Sequence, residues 1–109
     1  MLIPFSMIVL GTQLVIAVAD GVPKFDIQRG CRVDSADAYD VNAGLNATIK
    51  RCIADEQQAL TQLEAQWTQF QSSERSQCSQ EASIGDTPSY VELLTCLQGA
   101  KLARQLPKQ

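Results

Sequence analysis

Four cysteines and one carboxylate are the residues of this chain whose types and spacing could do chemistry. Cys31, Cys52, Cys78 and Cys96 are widely spaced and form no Cys-x-x-Cys pair. A four-thiolate zinc site is built from such short pairs, so these thiols point instead to two disulfides. The chain has no histidine. That removes the commonest general base and the commonest nitrogen ligand for zinc, and it excludes Ser-His-Asp and Cys-His catalysis within the chain. Glu56 is the one charged residue on an apolar helical stripe, between Cys52 and Leu60. A carboxylate so placed is either an acid poised in a cleft or a partly buried acid paired across the fold. No second acid, base or nucleophile stands in register with it. The structural reading follows: an ion pair of Glu56 with Arg104, or with Lys101. No catalytic, cofactor-binding or metal-binding residue is expected.

Two further groups have bland readings. Trp67, Phe70 and Tyr90 would stack a ligand if exposed, but their helical spacing makes them core. Asn46-Ala47-Thr48 fits a glycosylation sequon, a pattern short enough to occur by chance.

Disulfides require an oxidising compartment, and the first nineteen residues agree with one. Met1 to Ala19 carry no charged side chain, and Ala17-Val18-Ala19 gives a small-x-small end before Asp20. That is the layout of a secretory signal cleaved after Ala19, although no Lys or Arg precedes the apolar block. The competing reading is an uncleaved anchor. The run is interrupted by Gly11-Thr12-Gln13 and is at the short edge of a bilayer span of about 18 residues. The expected location is periplasmic or secreted, with membrane contact only if the segment stays uncleaved.

The charge balance narrows the partners. The net charge is −3, and the nine basic residues are scattered, with no run longer than Lys50-Arg51. Nucleic-acid binding needs clustered Lys and Arg to replace phosphate counterions, so it is excluded.

The elements that must position these residues read as helices. Val22 to Ile27 is an extended arm, Pro23 blocking an early helix, and Gly30 punctuates it. Asp34 to Asn42 is at best a short helical turn, so 20–44 is an N-terminal arm with little regular structure. Leu45, Ile49, Cys52, Ile53, Leu60, Leu63, Trp67 and Phe70 recur at three- and four-residue steps, which predicts an amphipathic helix over 45–71. Asn42 or Asn46 could cap it. Ser72 or Ser73 would cap a short helix over 73–81, with Glu74 in its first turn. Thr87 would cap a last helix over 88–105, with Pro88 at its first position. Tyr90, Val91, Leu93, Leu94, Leu97 and Leu102 form its apolar face. The expected fold is all-α: a small disulfide-stapled helical hairpin or three-helix bundle over 45–106. A core this small is marginal alone, since such a chain buries only about 60–65% of its unfolded surface.

Four cysteines allow three pairings. If the last helix runs back along the long one, Cys96 lies level with roughly Leu63 to Trp67. Cys52 is then about 15 Å or more away at 1.5 Å per residue. Disulfide Cα atoms must lie within about 7 Å, so Cys52–Cys96 is disfavoured. Cys78–Cys96 and Cys31–Cys52 are favoured, the first locking helix packing and the second securing the arm.

The motifs Trp67-x-x-Phe70, Arg75-x-x-Cys78 and Ser89-Tyr90-Val91-Glu92-Leu93-Leu94-Thr95-Cys96, with Cys52 and Asp55-Glu56-Gln57, resemble those of small exported alphaproteobacterial four-cysteine proteins with no assigned activity. More distantly, the cysteine number, helicity and export resemble the exported lysozyme-inhibitor-like helical modules. The expected function is a small exported, non-enzymatic binding or interaction protein with a protein or envelope partner. The alternative is a structural or envelope-stress protein tethered by an uncleaved N-terminal anchor.

Overall fold

Apolar side chains at helical spacing decide the architecture. A computed structural model describes residues 21–85 and 87–107. The expected signal segment, 1–19, lies outside the described residues. The described residues form four α-helices: α1 (Ile27–Asp37), α2 (Leu45–Gln66), α3 (Ser72–Ala82) and α4 (Tyr90–Gln105). The chain is a small all-α bundle stapled by two disulfides, with no strand among the described residues.

Helix α2 is the spine. Its 22 residues span about 33 Å at the α-helical rise. The expected continuous helix to Gln71 is instead broken: a 3-10 turn at Trp67–Gln69 follows, and Phe70 is extended at φ −93° and ψ 147°. That break turns the chain while keeping both aromatic rings inside. Trp67, Phe70 and Tyr90 are all buried. The core also takes Ala59 and Leu63 of α2, Cys78 and Ala82 of α3, and Leu93, Leu94 and Leu97 of α4. Leu63, Leu93 and Leu97 have no exposed surface. Truncating any of them to alanine would cost about 2–5 kcal/mol, a large part of the stability of a domain this size.

The cross-links set the directions. Cys78–Cys96 and the pair Glu74–Arg104 run α3 antiparallel to α4. The amide of Tyr90 meets Glu56, and Lys101 meets Gln69, so α4 runs parallel to α2. This corrects the expectation that the last helix runs back along the long one. Helix α3 makes the return journey, and α4 repeats the direction of α2.

The arm also differs from expectation. Residues 20–44 contain an 11-residue helix, α1, antiparallel to the start of α2 through Cys31–Cys52 and a bond from the Asp40 N–H to Thr48 Oγ1. Asp26 starts it by accepting the Arg29 N–H, an N-cap contact. Its buried face is narrow: Gly30, Cys31 and Ser35. Neither Asn42 nor Asn46 caps α2. Gly44 does so at φ +90°, a conformation that favours glycine, after Asp40 has turned the chain by accepting the N–H groups of Asn42 and Ala43. The cap of α3 is Gln71, whose N–H is taken by Glu74. The cap of α4 is Ser89 rather than Thr87, and its hydroxyl accepts the Glu92 N–H.

Candidate functional site

Glu56 lies where α1, α2 and the start of α4 meet. It is 8% exposed. Its carboxylate does not pair with Arg104 or Lys101. One oxygen accepts the Tyr90 N–H at 2.7 Å; the other accepts the Ser89 hydroxyl at 2.6 Å and the Val91 N–H at 3.4 Å. The reason for the correction is direction. With α4 parallel to α2, its first turn is level with Glu56, and Arg104 is a helix length away. The first N–H groups of a helix lack internal partners and carry partial positive charge, so a carboxylate from a neighbouring helix satisfies both needs. Ser89 does double duty, capping its own helix and donating to Glu56.

Arg104 pairs instead with Glu74, its Nε 2.7 Å from Oε2 and its Nη2 3.1 Å from Oε1. Arg104 first, and the Gln71 N–H second, hold the Glu74 carboxyl below its ordinary range. Lys101 donates to Gln69 at 2.9 Å. Both basic residues fasten the far end of α4, about 24 Å from its start by helical rise over 16 residues.

Tyr90 is the functional group that the sequence did not flag beyond its place in the core. Its hydroxyl donates to the Pro23 carbonyl at 2.7 Å and accepts the Phe25 N–H at 2.8 Å. The Phe25 and Tyr90 rings lie 4.6 Å apart. The arm is thereby clamped to the same helix end that Glu56 caps. Burial, foremost, pushes the Tyr90 phenol above its ordinary range, helped by the charges of Glu56 and Glu64 and opposed by the bond from Phe25. The Ser89 contact had a readable signal: Ser89-x-x-Glu92 before an apolar run is a capping-box pattern. The Tyr90 clamp had none.

Ile27, Gly30, Cys31, Asp34, Cys52, Glu56, Pro88 and Ser89 line a crevice of about 10 Å³, room for a single water and no larger ligand. The larger feature is an open groove of about 250 Å³ between α2 and α4. Ala59, Leu94 and Val91 give it an apolar floor, and Asp55, Gln58, Gln62 and Thr95 give it a polar rim. Val91 and Leu94 both belong to the apolar face of α4 that the sequence shows, and Val91 is the more open of the two, 40% exposed.

The remaining sequence candidates are accounted for. Cys31 bonds Cys52 and Cys78 bonds Cys96, with Cα separations of 5.6 and 5.7 Å, and no described cysteine is free. Trp67 is buried under the Arg75 guanidinium, 5.7 Å from the ring centroid. In the sequon the Thr48 hydroxyl is already used, donating to the Gly44 carbonyl and accepting the Asp40 N–H. No cluster of His, Cys, Asp or Glu among the described residues could hold a metal ion.

Fold and site together define a small helical bundle in which a buried glutamate and a buried tyrosine organise one helix end. No protein-family model, curated protein or solved structure matches the chain.

Proposed function

We propose that this is a small exported binding module, periplasmic or secreted, that does no chemistry of its own and contacts a protein partner through the groove between α2 and α4. The groove carries the reading. It is a depression large enough for side chains of a partner, and it pairs an apolar floor with amide and hydroxyl groups on its rim. A polypeptide segment with one or two apolar side chains and free backbone hydrogen-bonding groups fits that chemistry. Export is supported by the two disulfides, which persist in oxidising compartments. It is also supported by the apolar, charge-free stretch ending at Ala19. Among the described residues no helix is long and apolar enough to cross a membrane. Glu56 supports the non-enzymatic part: both its oxygens are engaged by the first turn of α4.

The test is affinity capture from envelope extract with the oxidised chain beginning at Asp20, run beside Val91→Glu and Gln58→Lys variants. Both positions are exposed, so the variants should melt like the parent. Loss of the same captured protein from both variants is the expected result. Retention by both would remove the groove as the contact face. N-terminal sequencing of the native protein should find Asp20 first, and a start at Met1 in the membrane fraction would return the tethered reading.

A further inference from the structure

The two disulfides hold different parts of the molecule. In α1 only Gly30, Cys31 and Ser35 are buried, and none of them belongs to the main core cluster. From Leu45 to Gln58 the one buried residue of α2 is Glu56; the core begins at Ala59. The segment from Gln28 to Cys52 therefore lies outside the core. Both its ends are fastened: upstream the Tyr90 clamp holds Pro23 and Phe25, downstream Glu56 holds α2 to α4. Between those fastenings, Cys31–Cys52 is the covalent tie. Cys78, by contrast, is a core residue, and Cys96 packs against the core.

We infer that Cys31–Cys52 is a redox latch: a dithiol opens it while Cys78–Cys96 stays closed, freeing α1 and uncovering Ile49 and Ile53 on α2. Exchange requires a thiolate to reach one sulfur in line with the S–S bond, so access governs which bridge opens. A short helix whose buried residues lie outside the core cluster, with a glycine in its first turn, opens locally at low free energy. Each bridge joins a buried cysteine to a half-buried one, so the difference lies in what must move to bring a sulfur into line: α1 alone for Cys31–Cys52, helices of the core cluster for Cys78–Cys96. The attacking thiolate forms a mixed disulfide with one cysteine and expels the other as a thiolate. The second thiol of the dithiol then closes its own disulfide and releases the remaining cysteine. Two electrons and two protons pass to the protein, and the dithiol becomes a disulfide. The co-reactant is thus a dithiol of the kind carried by thiol–disulfide exchange proteins. Ile49 and Ile53 are half-buried in the closed form and lie four residues apart on α2, with Cys52 three residues after Ile49.

A built-in control exists at Gly30. A Cβ there would meet the Pro88 carbonyl at 3.8 Å, an ordinary contact, so Gly30→Ala fits and strengthens α1. The experiment treats the oxidised chain beginning at Asp20 with dithiothreitol at neutral pH, traps thiols by alkylation at intervals, and maps peptides alongside amide exchange. Cys31 and Cys52 should be alkylated at least about tenfold earlier than Cys78 and Cys96. At that stage amides of 28–37 and 46–52 should lose protection while those of 59–66 and 93–100 keep it. Gly30→Ala should slow the first phase by about fivefold and leave the second unchanged. A Cys31→Ser, Cys52→Ser chain should show the opened exchange pattern without reductant. Simultaneous reduction of both bridges, earlier loss of Cys78–Cys96, or full α1 protection in the double variant would each overturn the latch.

Discussion

Replacing Glu56 tests the organisation of the whole molecule, because its side chain joins α2 to the start of α4 by hydrogen bonds. Glu56→Ala removes the acceptor for the Tyr90 N–H at 2.7 Å and for the Ser89 hydroxyl at 2.6 Å. The Tyr90 amide sits in a buried residue, so it is left without a partner. An unsatisfied buried donor costs about 1–3 kcal/mol, and a hydrogen bond to a charged group is worth about 1.5–3 kcal/mol. These overlap, so the expected loss is about 3 kcal/mol rather than their sum. At 4–8 °C per kcal/mol for a domain of this size, melting should fall by about 12–24 °C. Glu56→Gln keeps one acceptor oxygen but loses the charge that faces the helix end, and should cost about 1–2 kcal/mol. Glu56→Asp keeps the charge but shortens the reach by about one methylene, about 1.5 Å. It should resemble Gln rather than the parent, because bonds of 2.7 Å do not survive that retreat. The assay is thermal and guanidinium unfolding followed by far-ultraviolet dichroism, with disulfides intact. A cycle combining Glu56→Gln with Arg104→Gln should be additive to within about 0.5 kcal/mol, since the two side chains share no partner. A Glu56→Ala loss under about 1 kcal/mol, or coupling to Arg104 beyond that margin, would refute the capping argument and restore an antiparallel last helix.

Four further outcomes follow from the same geometry. Tyr90→Phe should cost about 1–2 kcal/mol by releasing the Pro23 carbonyl and Phe25 N–H, and amide exchange at Phe25 should rise. Because the folded Tyr90 phenol is raised above 10.0, the stability it contributes is complete below that pH and lost as pH climbs through the folded value, so an alkaline loss present in the parent should be absent from Tyr90→Phe. Glu74 is lowered below 4.5, so its stabilisation is present above that pH and lost as pH falls through the folded value; Arg104→Gln should therefore weaken guanidinium stability at pH 7 and change little at the acid end. Reverting Cys78 and Cys96 to serine should lower melting more than reverting Cys31 and Cys52, although both loops are worth about 3 kcal/mol by chain entropy, because only the first bridge also ties core helices.

The core was legible because its periodicity is strong. Leu63, Trp67 and Phe70 on one side and Leu93, Leu94 and Leu97 on the other are large, apolar and at helical steps, and all are buried. Helix α1 was illegible for the opposite reason. The row that faces α2 is Ile27, Cys31 and Ser35, and one serine and a neighbouring glycine are enough to hide a helical period. The direction of α4 was lost through α3. Only Cys78 and Ala82 of α3 are buried, so it looks like a connector. Counted as a helix in its own right, it makes each short connection a reversal, and two reversals bring α4 parallel to α2. The Glu56–Arg104 pairing fell with that one error, while the disulfides did not. Cys96 is level with the stretch near Leu63 whichever way α4 runs, so its separation from Cys52 is the same.

Glu56 also marks where the core ends. Downstream of it, three helices share an apolar interior and a bridge anchored in it through Cys78. Upstream of it, α1 and the first turns of α2 bury little, and they depend on Cys31–Cys52 and on Tyr90. A chain this short cannot bury enough apolar surface to stabilise every element by packing, so the elements outside the core must be held by other means. Here those means converge on one helix end. Tyr90 clamps the arm through its hydroxyl, receives Glu56 at its amide, and fills the core with its ring. A substitution there should therefore propagate in two directions at once. Tyr90→Ala would open a core cavity and release the arm, whereas Tyr90→Phe would release the arm alone. Comparing the two by amide exchange separates the units: protection in 93–100 should fall only in the alanine variant, while protection at Phe25 should fall in both. Equal loss in 93–100 for both would mean that the arm and the core are one cooperative unit, and the division at Glu56 would not stand.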